Sequence, residues 1–407
     1  MNCASAAATI RCAPIRAGRL SPAAAFYLLA SITITFLAGS SAPTPLYPLY
    51  QAKWGFSPIT VTVVFAVYAL GLLGALLIAG RLSDHIGRRP VLIVATLAHA
   101  ATMLIFSMAS GVGDLLIARV IQGLSAGAAI AAVGAGMLDL DKARGTVANA
   151  IAPALGTATG GIVSGLMVHF LPAPTHLVYW VLGMALLAQA AGVALMTETT
   201  VPRPGALGSL KPRFGVPVAT RRPLLIAVPA LVAPWAFAGF YGSLGPALMR
   251  STFGLDSSLF GGLALFILAG SAAVSIFLLR RYDAAIMTSV GAASLLAGVP
   301  MVMLALSYQS PAAFFLGTVV AGAGFGTSVQ GAIGIVVPFA PPSQRAGVLS
   351  VIFVVSYVAM GAPAVVAGYL VAHGSNIATT AQEFGAGVMI LAALALLGAV
   401  RNLRGRT

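Results

Sequence analysis

Acidic residues are scarce in this chain. Aspartate and glutamate total 8 in 407 residues, and charged side chains of both signs make up only 7%. A soluble domain carries roughly 25% charged residues, so too few ionisable groups remain to coat a water-facing surface. Cysteine is nearly absent: Cys3 and Cys12 are the only two. A disulfide framework in the body of the chain is therefore excluded. There is no Gly-x-x-x-x-Gly-Lys loop, so nucleotide hydrolysis is not the expected energy source. The histidines His85, His99, His169, His176 and His373 show no His-Glu-x-x-His spacing. This argues against a multipass membrane metalloenzyme and against any bound metal or cofactor. No segment is long enough to form the soluble module of a membrane scaffold or sensor.

What is abundant is apolar surface. Hydrophobic residues make up 59% of the chain, and glycine contributes 46. A bilayer core of ~30 Å needs ~20 apolar residues in a helix. Stretches of that kind recur near 23–48, 59–80, 91–110, 115–138, 146–171, 177–197, 224–249, 258–279, 285–305, 312–338, 347–371 and 384–400. Helices are expected because backbone amides in lipid need internal partners. The reading is an all-α membrane protein of twelve transmembrane helices. Residues 198–223 form the longest polar segment, with Pro202-Arg203-Pro204-Gly205 followed by four further bases. This segment reads as a linker between two six-helix halves, 23–197 and 224–400, with tails at 1–22 and 401–407.

The bases sort by side. With an even helix count, 19 of the 22 Lys and Arg residues fall on the face that carries both tails. Lys53 and Arg250 lie opposite, and Arg119 lies inside a helix. By the positive-inside rule both termini are cytoplasmic and the expected location is a plasma membrane, the inner membrane of a bacterium. The net charge of +14 then reports topology, and no nucleic-acid partner is needed to explain it. The first 20 residues lack the apolar core and cleavage site of a secretory signal and read as a cytoplasmic tail.

Between the second and third helices lies Gly80-Arg81-Leu82-Ser83-Asp84-His85-Ile86-Gly87-Arg88-Arg89-Pro90. Gly87 permits a turn closed to other residues. Asp84 is a lone acid among bases, free to pair with them or to cap a helix. This stretch resembles the loop motif of the major facilitator superfamily, with Gly80, Asp84, Gly87, Arg88 and Arg89 at the matching positions. The resemblance, closest to the 12-helix drug–proton antiporter group, implies two pseudo-symmetric six-helix bundles around a cavity that alternates its opening. It also implies that Asp84 belongs to a latch reaching helix eleven near Pro342-Ser343-Gln344-Arg345.

Helix four carries Arg119, with Gln122, Gly123 and Gly127 on the same face. An arginine at the centre of a bilayer helix costs ~2.5–3.5 kcal/mol, so it belongs in the protein interior unless it snorkels to the surface. The run is similar to the helix-four motif of proton-coupled facilitators, which implicates Arg119 in coupling. On helix five Gly156, Gly160, Gly161 and Gly165 form a small-residue seam. It is similar to the helix-five motif of drug–proton antiporters but has Thr157 where that motif has proline. The coupling candidates are Arg119, Gln122, Asp139 and His99, with protons as the expected coupling ion. All eight acids are expected at or near helix ends, and helix one has none. The substrate-cavity candidates are Tyr68, Asn149, Trp235, Phe237, Tyr241, Gln330 and Tyr357. The expected function is secondary transport of a small organic solute by a monomer in the lipid bilayer, as proton-coupled efflux or as a metabolite symporter or uniporter.

Overall fold

The computed structural model describes residues 19–212 and 214–404. Cys3, Cys12, Arg11, Arg16, Arg213 and Arg406 lie outside the described residues. Among the described residues twelve helices are long and apolar enough to cross a membrane. They are α1 (Pro22–Ser41), α2 (Pro58–Ala79), α3 (Arg88–Ser107), α4 (Val112–Leu140), α5 (Lys142–Phe170) and α6 (Leu177–Leu195) in the first half. The second half holds α7 (Val218–Phe253), α8 (Ser258–Leu279), α9 (Ala284–Ser307), α10 (Pro311–Val336), α11 (Arg345–Ala372) and α12 (Ile377–Arg404). Among the described residues there is no strand.

Side chains with no apolar role mark the helix starts. Ser21 accepts from the Ala24 amide and precedes Pro22, which lacks the donor that a first helical turn leaves unused. Asp141 caps α5, Ser257 caps α8 and Asp283 caps α9 in the same way. Helix α1 ends at an irregular break. A 3-10 turn, Thr44–Leu46, and a short helix, Tyr47–Trp54, carry the chain to the far face, opposite the face where α1 begins. Pro43, Pro45 and Pro48 interrupt the regular ladder there.

Two helix starts differ from the sequence expectation. Helix α7 begins at Val218, so Arg221 and Arg222 belong to its first turns. Helix α12 begins at Ile377 because the Asn376 side chain accepts from the Ala378 amide and starts a helix through a stretch too polar for a hydropathy reading. Glu383, expected just before the last helix, therefore lies inside it.

Each half has its own apolar core. The first is built on Leu29, Phe36, Leu72, Leu92, Leu115 and Leu186, and the second on Leu244, Leu268, Leu295 and Phe314, with a further cluster around Leu231 and Ile352. Large apolar side chains such as Val94, Leu225 and Ile390 point outward, as a lipid-facing belt requires. The halves meet toward the far face. There Gly165 of α5 lies against Leu259 of α8, Gly361 of α11 approaches Ala66 of α2, and Ser257 and His169 share a hydrogen bond of 3.0 Å. The Thr44 hydroxyl, in the break after α1, donates to the Gly242 carbonyl of α7 at 3.1 Å.

Candidate functional site

Two polar constellations stand out: a buried one inside the first half and a collar on the basic face, where α1 begins.

The buried site centres on Arg119, which has no exposed surface. Nη1 donates to the Ser40 carbonyl at 2.8 Å and to Gln122 Oε1 at 2.7 Å, and Nη2 donates to the Tyr47 hydroxyl at 2.6 Å. The guanidinium also lies 5.4 to 5.9 Å from the rings of Tyr47, Tyr68 and Phe106. Among the described residues no acid pairs with it. Hydrogen bonds to a charged group contribute about 1.5–3 kcal/mol each, so three of them offset the insertion cost without a carboxylate. The reason for this seat is the end of α1: Ser40 lies in its last turn, where carbonyls lack helical partners. Gln122 closes the arrangement by donating to the Gly39 carbonyl at 3.0 Å. Arg119 thus lies in the core of the first half, bracing the α1 break, and does not line an open cavity.

His99 joins the same cluster. Ser125 donates its hydroxyl to the Gln122 carbonyl at 2.9 Å, which leaves the Ser125 oxygen to accept from His99 Nδ1 at 3.0 Å. The proton of a neutral imidazole then sits on Nδ1. Nε2 is a bare acceptor, buried, without a partner, and directed at Gly39. Phe36 lies over the ring at 4.1 Å.

Tyr47 reaches past this core. With Pro48, Gln51, Ser243 and Asn376 it lines a cavity of about 320 Å³ between the halves at the far face.

The collar is built on the α2–α3 loop. Gly80 caps α2, and Gly87 adopts φ 101° with Glu198 packed where a side chain would stand. Glu198 accepts from the Arg88 amide at 2.8 Å and the Arg89 amide at 3.1 Å, placing a carboxylate on the N-terminus of α3. Arg88 is buried and donates to Ser83, to Asp84 and, at 3.3 Å, to Asp139 at the end of α4. Arg89 donates to the final carbonyls of α6, Val193 and Ala194. Arg81 and His85 reach linker carbonyls at Ser209, Lys211, Arg203 and Pro204. Asp84 pairs with Arg88 of its own half, and among the described residues no hydrogen bond or ion pair joins it to α11. Arg345 instead donates to Ala340 beside it.

The structure thus brings Arg119, Gln122, His99 and Tyr68 together and places Asp139 apart from them, in the collar. The helix-five glycines divide. Gly156 and Gly160 face α1 at Ile34 and Ala38, whereas Gly161 and Gly165 face α8 at Gly262 and Leu259. Of the cavity candidates, Trp235 sits edge-on to Phe325 and 5.4 Å from Tyr357, with its indole N–H buried and unpartnered. Tyr357 packs on the first-half core, and Gln330 is half-buried on α10. Phe237 and Tyr241 lie in the second-half core, where Tyr241 and Thr318 share a hydrogen bond of 2.8 Å. Asn149 donates to the Gly134 carbonyl and ties α5 to α4. Sequence reasoning missed Tyr47, Ser125 and Glu198. The run Pro45-Leu46-Tyr47-Pro48, an aromatic between helix breakers, was the available signal for the first.

The family model described as Major Facilitator Superfamily matches residues 29–362, and the chain belongs to that family. It is similar to the multidrug resistance protein MdtL of Klebsiella pneumoniae (strain 342), 27% identical over 348 residues that cover 80% of this chain and 83% of that protein. Among solved structures, the human organic anion transporter MFSD10 (TETRAN) superposes with a TM-score of 0.65 at 18% identity, covering 94% of this chain and 99% of that one. The nucleoside transporter NupG superposes with a TM-score of 0.65 at 11% identity, covering 92% and 98%. The fold and the family make the chain a membrane transporter, not an enzyme.

Proposed function

We propose that the protein is a proton-coupled secondary exporter of small organic solutes, working by alternating access as a monomer in a bacterial inner membrane. Its basic face is cytoplasmic. A tail (1–22) and a linker (198–223) flank the first bundle (23–197), and a tail (401–407) follows the second (224–400). The export reading rests on the likeness to multidrug resistance proteins and on the family.

The observation that carries the coupling is the seat of Arg119. Its bonds to Ser40 and Tyr47 hold the break after α1. The same break touches the other half through Thr44 and Gly242. Opening the far face parts that contact and disturbs the Arg119 seat. His99 Nε2, with a free lone pair in the same cluster, is the group available to take a proton. Like charges repel in a low-dielectric interior, so a proton on His99 and the present seat of Arg119 oppose each other. Proton binding is thereby tied to movement of α1. Trp235, Tyr357 and Gln330 are the residues we assign to solute contact.

Proteoliposomes with an imposed pH gradient, screened against a panel of neutral, anionic and cationic organic solutes, test this reading. Solute flux should rise with the gradient in the wild type and lose that response in His99→Gln. Flux indifferent to the gradient would sink the coupling.

A further inference from the structure

The acids of this chain are divided by what they touch. Asp84 and Asp139 pair with Arg88, Asp141 with Arg144 and Asp256 with Arg250. Asp114 accepts from Ser110, Glu198 caps α3 and Asp283 caps α9. Glu383 differs: among the described residues no hydrogen bond or ion pair reaches its exposed carboxylate. In a chain of net charge +14 an acid left without a base is conspicuous.

Its position gives it a setting. Glu383 lies six residues past the start of α12, about 9 Å along the axis. From there to Arg401 residues 384–400 carry no charge, a run of about 26 Å, close to a hydrocarbon core. The carboxylate therefore stands at the far-face boundary of the apolar layer. It borders a lateral groove of about 430 Å³ between α11 and α12, walled by Pro363, Val366, Leu370 and Phe384. The groove's remaining hydroxyl, on Thr380, is spent on the Asn376 carbonyl. An apolar slot of drug-like size with one unpaired anion at its rim selects an apolar body with one positive charge.

We infer that the α11–α12 groove binds a membrane-partitioned small molecule with an apolar body and a single ammonium group, held at the rim by Glu383. A phospholipid fits less well, because its phosphate would lie beside the carboxylate. The site is separate from the Arg119 cluster and does not depend on proton coupling.

The test is photolabelling of the full chain in phosphatidylcholine nanodiscs with a diazirine-bearing dodecylammonium, with labelled peptides mapped by mass spectrometry. Labelling should concentrate in 362–370 and 380–384, and unlabelled dodecylammonium should compete. Glu383→Gln should lower it several-fold, as should Val366→Trp, which fills the groove and keeps the carboxylate. The matching dodecanol probe should label the wild type no better than the ammonium probe labels Glu383→Gln. Four results would each overturn the inference. They are equal labelling in Glu383→Gln, retention in Val366→Trp, equal labelling by the alcohol, and label spread over all lipid-facing helices. Loss of labelling on adding phosphatidylethanolamine would assign the groove to lipid and overturn it also.

Discussion

Arg119 and Tyr47 lie 72 positions apart in sequence, yet Arg119 Nη2 donates to the Tyr47 hydroxyl at 2.6 Å. One partner lies about two turns into α4 and the other follows the break of α1. The tyrosine also lines the far-face cavity between the halves. A buried charge is thereby connected, through a single hydrogen bond, to the lining of the cavity between the halves.

That bond is separable from the rest of the seat. Tyr47→Phe keeps the ring over the guanidinium and removes one of three acceptors. The expected cost is about 1.5–3 kcal/mol of thermal stability, with gradient-driven flux reduced but still responsive to pH. Arg119→Met leaves Ser40, Gln122 and Tyr47 without their shared donor, and the response to the gradient should vanish. Flux assays, with circular dichroism to verify folding, distinguish the two variants.

The collar offers a graded comparison. Arg88 is only 6% exposed and serves Ser83, Asp84 and Asp139. Breaking a fully buried ion pair costs about 3–5 kcal/mol. The two acids are 44% and 33% exposed, so water replaces part of what is lost. Arg88→Ala should therefore cost about 1–3 kcal/mol, and Asp84→Asn, which keeps the Asp139 pair, less. Thermal unfolding in detergent reads both.

The architecture was legible because lipid demands long apolar helices and sorts bases by side. Both signals survive in a single sequence. The turn at Gly87 was legible because its φ of 101° requires glycine. The importance of Arg119 was legible from its depth, but its partners were not. Ser40 acts through a backbone carbonyl, which any residue supplies, and Tyr47 looked like one tyrosine among ten. Phe237 and Tyr241 show the converse: aromatic residues beside prolines read as cavity wall, whereas α7 turns them into the second-half core. Asp84 shows a third case. Its motif implies a reach to α11, but Arg88, just across the Gly87 turn, holds it here.

Glu198 should act as a cap whose value lies in its charge. It accepts from two consecutive amides at the start of α3, where the helix dipole favours an anion. Glu198→Gln keeps the shape but loses the charge and one of the two acceptor oxygens, and should lower stability by about 0.5–2 kcal/mol. Thr199→Ala, which removes a 3.2 Å bond to Asp139 at an exposed site, should fall below that range in the same thermal assay.

The glycine seam yields a conformational prediction. Gly161 faces the Gly262 carbonyl, which would lie 3.1 Å from an added Cβ, so α5 and α8 touch nearly backbone to backbone. A leucine at 161 must push α8 away, and the two halves meet there on the far side. Gly161→Leu should therefore favour arrangements in which the far face is parted. Gln51 lines the cavity at that face and reports the change. In a background with Cys3 and Cys12 replaced by serine, Gln51→Cys should react faster with a membrane-impermeant maleimide when Gly161→Leu is present. Gly156→Leu is the control, because Gly156 faces α1 of its own half. It should disturb packing within the first bundle without raising that rate, and equal acceleration by both would refute the assignment of Gly161 to the closure between halves.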